Sequence, residues 1–330
     1  MQWVIVGATG FVGSAVLRAA QDAGLDVTAL PAPRLTSDAI SAVQIIDEAA
    51  RHPAVTDLAA ALAGASVVVN AAGVAAPRGA DTAELRGANA LLPAVLAYAC
   101  SEARVERLIH LSSAAVQGHR EILDESSDLA PFSAYSRSKA LGEEALRLTA
   151  SQGRSEGMHP VVIRATSVQG AGRPTTAALA RLAASPLASV AAPGTASTPV
   201  TSVESLADYV VQAGTFAGPL PAVILQPGEG MTVRSVLEAV GGTPIVLPRS
   251  LCRFVLRVGY RVSALLGERL HGSLRRVELM WFGQAQAPGW AEAHDIRVEH
   301  RVSGVLEAAG SRQRQSRPRK RRDRQARQVP

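Results

Sequence analysis

The strongest constraint on the fold lies in the first twenty residues. An apolar run, Gln2-Trp3-Val4-Ile5-Val6, passes directly into Gly7-Ala8-Thr9-Gly10-Phe11-Val12-Gly13 and then into the helix-forming Ser14-Ala15-Val16-Leu17-Arg18-Ala19-Ala20. Glycines between a strand and a helix have separate uses here. One permits a tight turn, one lets backbone N–H groups approach a pyrophosphate, and one lets helix and strand pack closely. The helix N-terminus then faces that anion with unpaired N–H groups and the positive end of its dipole. A segment of this kind commits the chain to a fold whose ligand sits beyond the carboxyl end of the first strand.

Apolar runs recur at 2–6, 26–30, 66–70, 105–111, 161–165 and 222–225, and most intervals between them read as helices at the 3.6-residue period. Strand-helix alternation builds a mostly parallel sheet covered on both faces, so the expected class is α/β, a Rossmann-like doubly wound sheet. Segment 31–55 is less regular, with Pro31, Pro33 and Pro53 around a helix expected at 38–50. Past about residue 170 the alternation weakens, and 250–282 reads as a helical stretch. The expected organisation is a dinucleotide-binding domain over 1–170, rejoined by later strands at about 195–226, then a smaller C-terminal substrate-binding lobe over 171–310. A basic tail occupies 311–330.

Charge sharpens that last boundary. The 330 residues carry a net charge of +6, but nine Lys or Arg and one Asp fall in 311–330, a local +8 that leaves 1–310 at −2. Such a tail has too little apolar surface to order itself by burial, and it is expected to be disordered. It reads as a salt-sensitive contact for nucleic acid or an anionic membrane, or as a solubilising extension; the second is favoured. Cys100 and Cys252 offer neither a disulfide framework nor a zinc site, and His110, His119 and His271 lack ligand spacing, so no metal is expected. No apolar run reaches the roughly 18 residues of a membrane span, and the strand-like opening has no leader pattern, so a cytoplasmic location is expected.

The second strand, Asp26-Val27-Thr28-Ala29-Leu30, is followed by Pro31-Ala32-Pro33-Arg34, where an NAD site would offer an acid to the adenine ribose. A guanidinium suits a 2′-phosphate, which favours NADP over NAD with Arg34 as its contact; an exposed loop arginine is the other reading. Farther on, Tyr135 and Lys139 stand four apart in a helix entered after Pro131, hence on one face. An ammonium near a phenol stabilises the phenolate and brings its pKa toward neutrality.

These residues, with Asn70-Ala71-Ala72-Gly73 after an apolar strand, Asn89 in the following helix and the strand end Ser112-Ser113, resemble the short-chain dehydrogenase/reductase superfamily. The spelling resembles its extended branch, the NAD-dependent epimerase/dehydratase family, which acts mainly on nucleotide sugars. The match runs through about residue 170 and more loosely through 200–208 and 226–232. The resemblance implies that Tyr135 exchanges a proton with the substrate oxygen, that Lys139 lowers its pKa and binds the nicotinamide ribose, that Ser113 bonds the reacting oxygen and that Asn89 supports the site. It implies cofactor contacts at Gly7, Thr9, Gly10, Phe11, Val12, Gly13, Asn70, Ala71, Ala72, Gly73 and Ser112, and substrate contacts at Ser113 and Tyr135.

The departures narrow the activity. The family's 4,6-dehydratases carry Thr-Asp-Glu where this chain has Ser113-Ala114-Ala115, and two alanines cannot serve an elimination, so a 4,6-dehydratase is not expected. Gln117 stands where a tyrosine is usual and is a candidate substrate contact. Ser197-Thr198 replaces an arginine that relatives use for a diphosphate, leaving Arg173 and Arg249 as candidates for an anionic group. The expected activity is a ketoreductase on a sugar or nucleotide-sugar. The alternatives are a nucleotide-sugar epimerase with tightly bound NAD, a hydroxysteroid or lipid alcohol dehydrogenase, and a non-catalytic dinucleotide-binding regulator. Arg253, Arg257 and Arg261 line one face of an amphipathic stretch that packs on the core or on a partner subunit of a homodimer, the favoured reading, or lies on an anionic membrane.

Overall fold

The six apolar runs of the sequence become the six strands of one parallel sheet. The computed structural model describes residues 1–75, 80–152, 158–267 and 270–315. β1 (Gln2–Val6) leads through α1 (Phe11–Asp22) to β2 (Asp26–Leu30), and then through α2 (Ala42–Ala49) and α3 (Ala54–Ala61) to β3 (Val67–Asn70). α4 (Ala83–Arg86), a π-helical turn (Gly87–Leu91) and α5 (Leu92–Glu102) cross to β4 (Arg107–Ser113). The short β5 (Ile122–Leu123) and the long α6 (Ala134–Ser151) precede β6 (His159–Ala165). β7 (Ser167–Gln169), α7 (Pro174–Ala183), β8 (Ser189–Ala191), β9 (Val200–Ser202) and α8 (Val203–Thr215) follow, and β10 (Val223–Leu225) closes the sheet.

The strand order is β10-β6-β4-β3-β1-β2, with every neighbouring pair parallel. Alternation along the strands divides the core in two. Val4, Val6, Val68 and Leu108 join Ile45, Ile46, Leu92 and Leu96 on one face, while Trp3, Ile5, Val69, Ile109 and Ile163 join Val16, Leu206 and Tyr209 on the other. The chain reverses direction across the sheet at β1 and β3, and that reversal opens a crevice beyond their carboxyl ends.

The remaining elements are α9 (Val233–Ala239), β11 (Ile245–Leu247), α10 (Arg249–Leu265), α11 (His271–Phe282), β12 (Ala285–Gln286), α12 (Trp290–Ala293) and α13 (Val302–Gln315). β7 pairs with β9, β8 with β11 and β5 with β12, so short two-stranded sheets brace this part of the molecule. Of the strands expected to return at 195–226, β10 therefore rejoins the main sheet and β9 does not. The helical stretch expected over 250–282 is two helices, α10 and α11. Residues 311–315, assigned above to a disordered tail, continue α13, where Leu306 and Ala309 bury the helix against α7 and α9; residues 316–330 lie outside the described residues.

One carboxylate fastens α13 to the sheets. Glu229, 4% exposed, accepts from the N–H of Ser202 (2.6 Å), the hydroxyl of Thr201 (3.0 Å) and the N–H of Val302 (2.6 Å). Burial alone would raise its pKa, but the Ser202 and Val302 N–H groups, with nearby hydroxyls, hold it below the usual carboxylate value. A depressed pKa contributes stability that is complete above the unfolded carboxylate range and lost as pH falls through it. Glu229→Ala is expected to cost about 1.5–3 kcal/mol near neutrality by urea unfolding, in the range of hydrogen bonds to a charged group. The gap to the parent protein should shrink on acidification; a gap independent of pH would contradict this assignment.

Candidate active site

The crevice is walled by the glycine loop and the end of β3. Gly7 takes φ +83°, a left-handed conformation, and a Cβ there would stand 2.8 Å from the Cα of Ala72, so the two chain segments meet at backbone distance. α1 begins at Phe11 with Gly10 as its N-cap and no side chain capping it, which leaves the N–H groups of its first turn available to an anion. Thr9, Gly10 and Gly73 are exposed, Phe11, Val12, Ala71 and Ala72 are half-buried, and Gly13 is buried under the turn. This cradle fits the pyrophosphate of a dinucleotide. Arg34 is exposed, four residues past the end of β2.

Two residues expected along the cofactor face inward instead. Asn70 is fully buried; its Oδ1 accepts from the Ala72 N–H (3.1 Å) and its Nδ2 meets His110 Nδ1 (3.1 Å), so it shapes the loop from beneath. Ser112 gives its hydroxyl to Glu143 at 2.5 Å. His110 is buried as well, and burial together with the charge of Lys139 lowers its pKa well below the usual imidazole value.

The chemical end is set by α6. Ser133 caps it by accepting from the Ser136 N–H (3.1 Å), and the Ser136 hydroxyl reciprocates by accepting from the Ser133 N–H (2.9 Å), so the helix starts at Ala134, one residue before Tyr135. Ser138 donates back to the Tyr135 carbonyl (2.9 Å) and accepts from Asn89 Nδ2 (2.9 Å). Asn89, expected in an ordinary helix, sits in the π-helical turn, where it also bonds both backbone groups of Val74. A Cβ on Gly73, at φ +155°, would fall 2.8 Å from Asn89 Oδ1 and 3.0 Å from Lys139 Nζ. Asn89, Lys139 and the end of the β3 loop thus converge on one point.

The charges around Tyr135 differ from the expected pattern. Lys139 is 5% exposed and directs Nζ to the Leu111 carbonyl at 2.8 Å; burial lowers its pKa to about 8, against the opposing charge of Glu143. The half-buried Tyr135 phenol is raised by burial and pulled back by the nearby Ser113 hydroxyl and by the positive charge of Arg173. Arg173 is a cation that lowers the phenol's pKa in this arrangement. Its guanidinium donates to the Val168 carbonyl (2.8 Å) and lies 4.8 Å over the ring of Phe11, between the glycine loop and the phenol.

Beyond Ser113 opens a cavity of about 870 Å³. Ser113, Ala114 and Ala115 form part of its wall, and α7, α9 and α11 contribute Leu179, Val236, Leu237, Val277 and Met280. Arg275 reaches it with its guanidinium already bonded to the Gly118 carbonyl (2.8 Å) and to Glu278 (2.9 Å). Gln117 is absent from the lining: fully buried, it donates to Asp124 Oδ1 (2.6 Å) and accepts from the Asp124 N–H (3.0 Å), fixing the 114–124 turn. Arg173 is absent too, because it serves the Phe11 side. Arg249 stacks on Phe282 at 5.1 Å. Among the described residues there is no cluster of His, Cys, Asp and Glu able to hold a metal.

Comparison with known proteins identifies the lineage. The NAD dependent epimerase/dehydratase family matches residues 3–213. The chain belongs to that family. A farnesyl-dihydroquinoline-oxide ketoreductase of Stigmatella aurantiaca is 30% identical over 178 residues, covering 52% of this chain and 51% of the relative, so the match spans about half the relative's length. The UDP-glucuronic acid 4-epimerase of Bacillus cereus, solved with NAD, superimposes at a TM-score of 0.63 with 18% identity, over 94% of this chain and 96% of that one. The Thermus thermophilus UDP-glucose 4-epimerase, also with NAD, gives 0.56 and 19%, over 96% and 100%. At such identities these structures establish the shared Rossmann-like fold.

Within this family member the cavity wall was the part that motif reading missed. Its side chains come from strands, helices and loops spread between Ser113 and Gln284 and share no local pattern; only their apolar character at helical spacing was visible. The electrostatic arrangement gives a measurable consequence. Replacing Arg173 by Met removes a cation that favours the phenolate, so the proton affinity of Tyr135 should rise. Ultraviolet tyrosinate titration, referenced to Tyr135→Phe, reads this directly; an unchanged or lowered pKa would contradict the arrangement.

Proposed function

We propose that the chain is an NAD(P)-dependent ketoreductase with Tyr135 as its proton donor. The observation that carries this reading is the Ser113 hydroxyl on the wall of the apolar cavity, with the Tyr135 phenol near enough for that hydroxyl to lower its pKa. Gly7–Gly13 and Ala71–Gly73 would hold a nicotinamide dinucleotide, which when bound would supply hydride for a carbonyl carbon. Ser113 and Tyr135 then offer two hydroxyl donors to the carbonyl oxygen, and Tyr135 passes its proton to the developing alkoxide. The guanidinium of Arg173 offsets the negative charge left on the phenol oxygen. Asn89 holds the loop and helix that carry Gly73 and Lys139 in register. Ala114 and Ala115 provide no second acid or base, which supports reduction over elimination.

The cavity walls favour a lipophilic ketone over the sugar or nucleotide-sugar expected from the motifs. A nucleotide sugar brings a diphosphate that needs several free cations; of the three arginines on the cavity wall, Arg181, Arg275 and Arg276, Arg275 is engaged with Gly118 and Glu278, and the remaining lining is mostly apolar. The ketoreductase from Stigmatella aurantiaca, named for a farnesylated quinoline substrate, supports the same choice. Arg34, four residues past the end of β2, favours NADP over NAD.

Steady-state kinetics with NADPH against lipophilic cyclic ketones and nucleotide sugars tests the proposal. Turnover is expected with the ketones. Tyr135→Phe should lower kcat by about 10²–10⁴-fold, the usual worth of general acid catalysis, with NADPH binding retained. Arg34→Ala should weaken NADPH about tenfold and leave NADH unaffected. Undiminished turnover by Tyr135→Phe would sink the mechanism, and turnover confined to nucleotide sugars would sink the substrate choice.

A further inference from the structure

α10 buries Cys252, Leu256 and Ser263 and turns most of its surface outward. Leu251, Phe254, Val255, Val258, Val262 and Leu265 are each 43–88% exposed. At 3.6 residues per turn, these six fall within about one third of the helix circumference. Ten of the sixteen exposed large hydrophobic residues lie between Ile245 and Leu270, so they form a patch and not a scatter. Arg253, Arg257 and Arg261 run along one border of the stripe, one per turn, all exposed. The helix contains no Asp or Glu, and none of these three arginines has an ion-pair partner among the described residues.

A solvent-facing apolar stripe of this size needs an occupant, and the charge pattern selects among them. A second copy packed α10 to α10 would bring two all-cationic borders together with no acid to separate them. An anionic bilayer answers both features at once: the stripe enters the acyl boundary, and the arginines lie at the depth of the phosphates with their stems along apolar surface. We propose that α10 lies in the plane of an anionic membrane surface, with Phe254, Val258 and Val262 inserted and Arg253, Arg257 and Arg261 on the lipid phosphates. No described helix is long and apolar enough to span a membrane, so this is attachment at the interface. α11, packed beneath α10 through Cys252, Leu256 and Trp281, supplies Val277 and Met280 to the cavity wall. Attachment therefore brings the cavity close to the lipid. The surface stands on its own, whatever reaction the cavity hosts.

Flotation of the full chain with phosphatidylcholine vesicles, with and without phosphatidylglycerol, is the test. Binding is expected only to the anionic vesicles. Arg253→Glu/Arg257→Glu/Arg261→Glu should weaken it roughly a hundredfold, since each cation near such a surface contributes several-fold. Phe254→Ser/Val258→Ser/Val262→Ser should weaken it at least about tenfold by removing the inserted area. All six positions are exposed, so both variants should melt with the parent protein and bind the dinucleotide equally. Binding that persists in both variants would assign it to the basic 311–330 segment and overturn the proposal. Absent binding overturns it as well, including the case in which the apolar variant dissociates a dimer.

Discussion

The site depends on one buried carboxylate. Glu143, two turns along α6 from Tyr135, accepts from Ser112 at the end of β4 and from Arg164 on β6 at 2.8 Å, and Arg164 passes two further bonds to the carbonyls of Asp124 (3.2 Å) and Ser126 (2.7 Å). Arg164 is 1% exposed and Glu143 5%. A buried pair of this kind adds little net stability over apolar replacements, but loss of one partner leaves an uncompensated charge, at about 3–5 kcal/mol. What it secures is geometry. β4, α6, β6 and the turn that follows β5 are tied to a common point, and these are the elements that bring Ser113, Tyr135 and Lys139 together. The same charge raises the pKa of the buried Lys139 against desolvation.

A consequence is a division of labour between two cations. Lys139 is held in the strand end by Leu111 and faced by Glu143, whereas Arg173 stands on the open side, where its charge reaches the phenol. A phenol raised by burial is a poor base but a well-protonated acid near neutrality, which suits donation to a ketone oxygen. The apolar cavity and the absence of acids at Ala114 and Ala115 fit the same direction of chemistry.

Much of this was legible in the residues. All six strands of the main sheet coincide with apolar runs; five are largely buried, and strands covered on both faces must be apolar, whereas the edge strand β2 is exposed or half-buried along its length. Tyr135 and Lys139 four apart, Ser113 at a strand end and the glycine loop were readable because each rests on local backbone geometry. The errors arose where contacts are distant in sequence. Gln117 and Ser112 looked free to meet ligands, but their partners, Asp124 and Glu143, are fixed only by the fold. Arg173 was read toward the substrate because nothing local shows that Val168 and Phe11 hold it on the other side. The extension of α13 through residues 311–315 was hidden by their polar composition, since α7 and α9 supply the surface it packs on.

The central claim is net reduction of a ketone in this cavity, and isotope transfer tests it most directly. The protein is incubated with a lipophilic cyclic ketone and NADPH deuterated at the transferring carbon, and the product is analysed by mass spectrometry and NMR. One deuterium at the new carbinol carbon, with stoichiometric oxidation of the cofactor, is the predicted result. Recovery of all deuterium in the cofactor, or inversion of a substrate without net oxidation, would contradict the account.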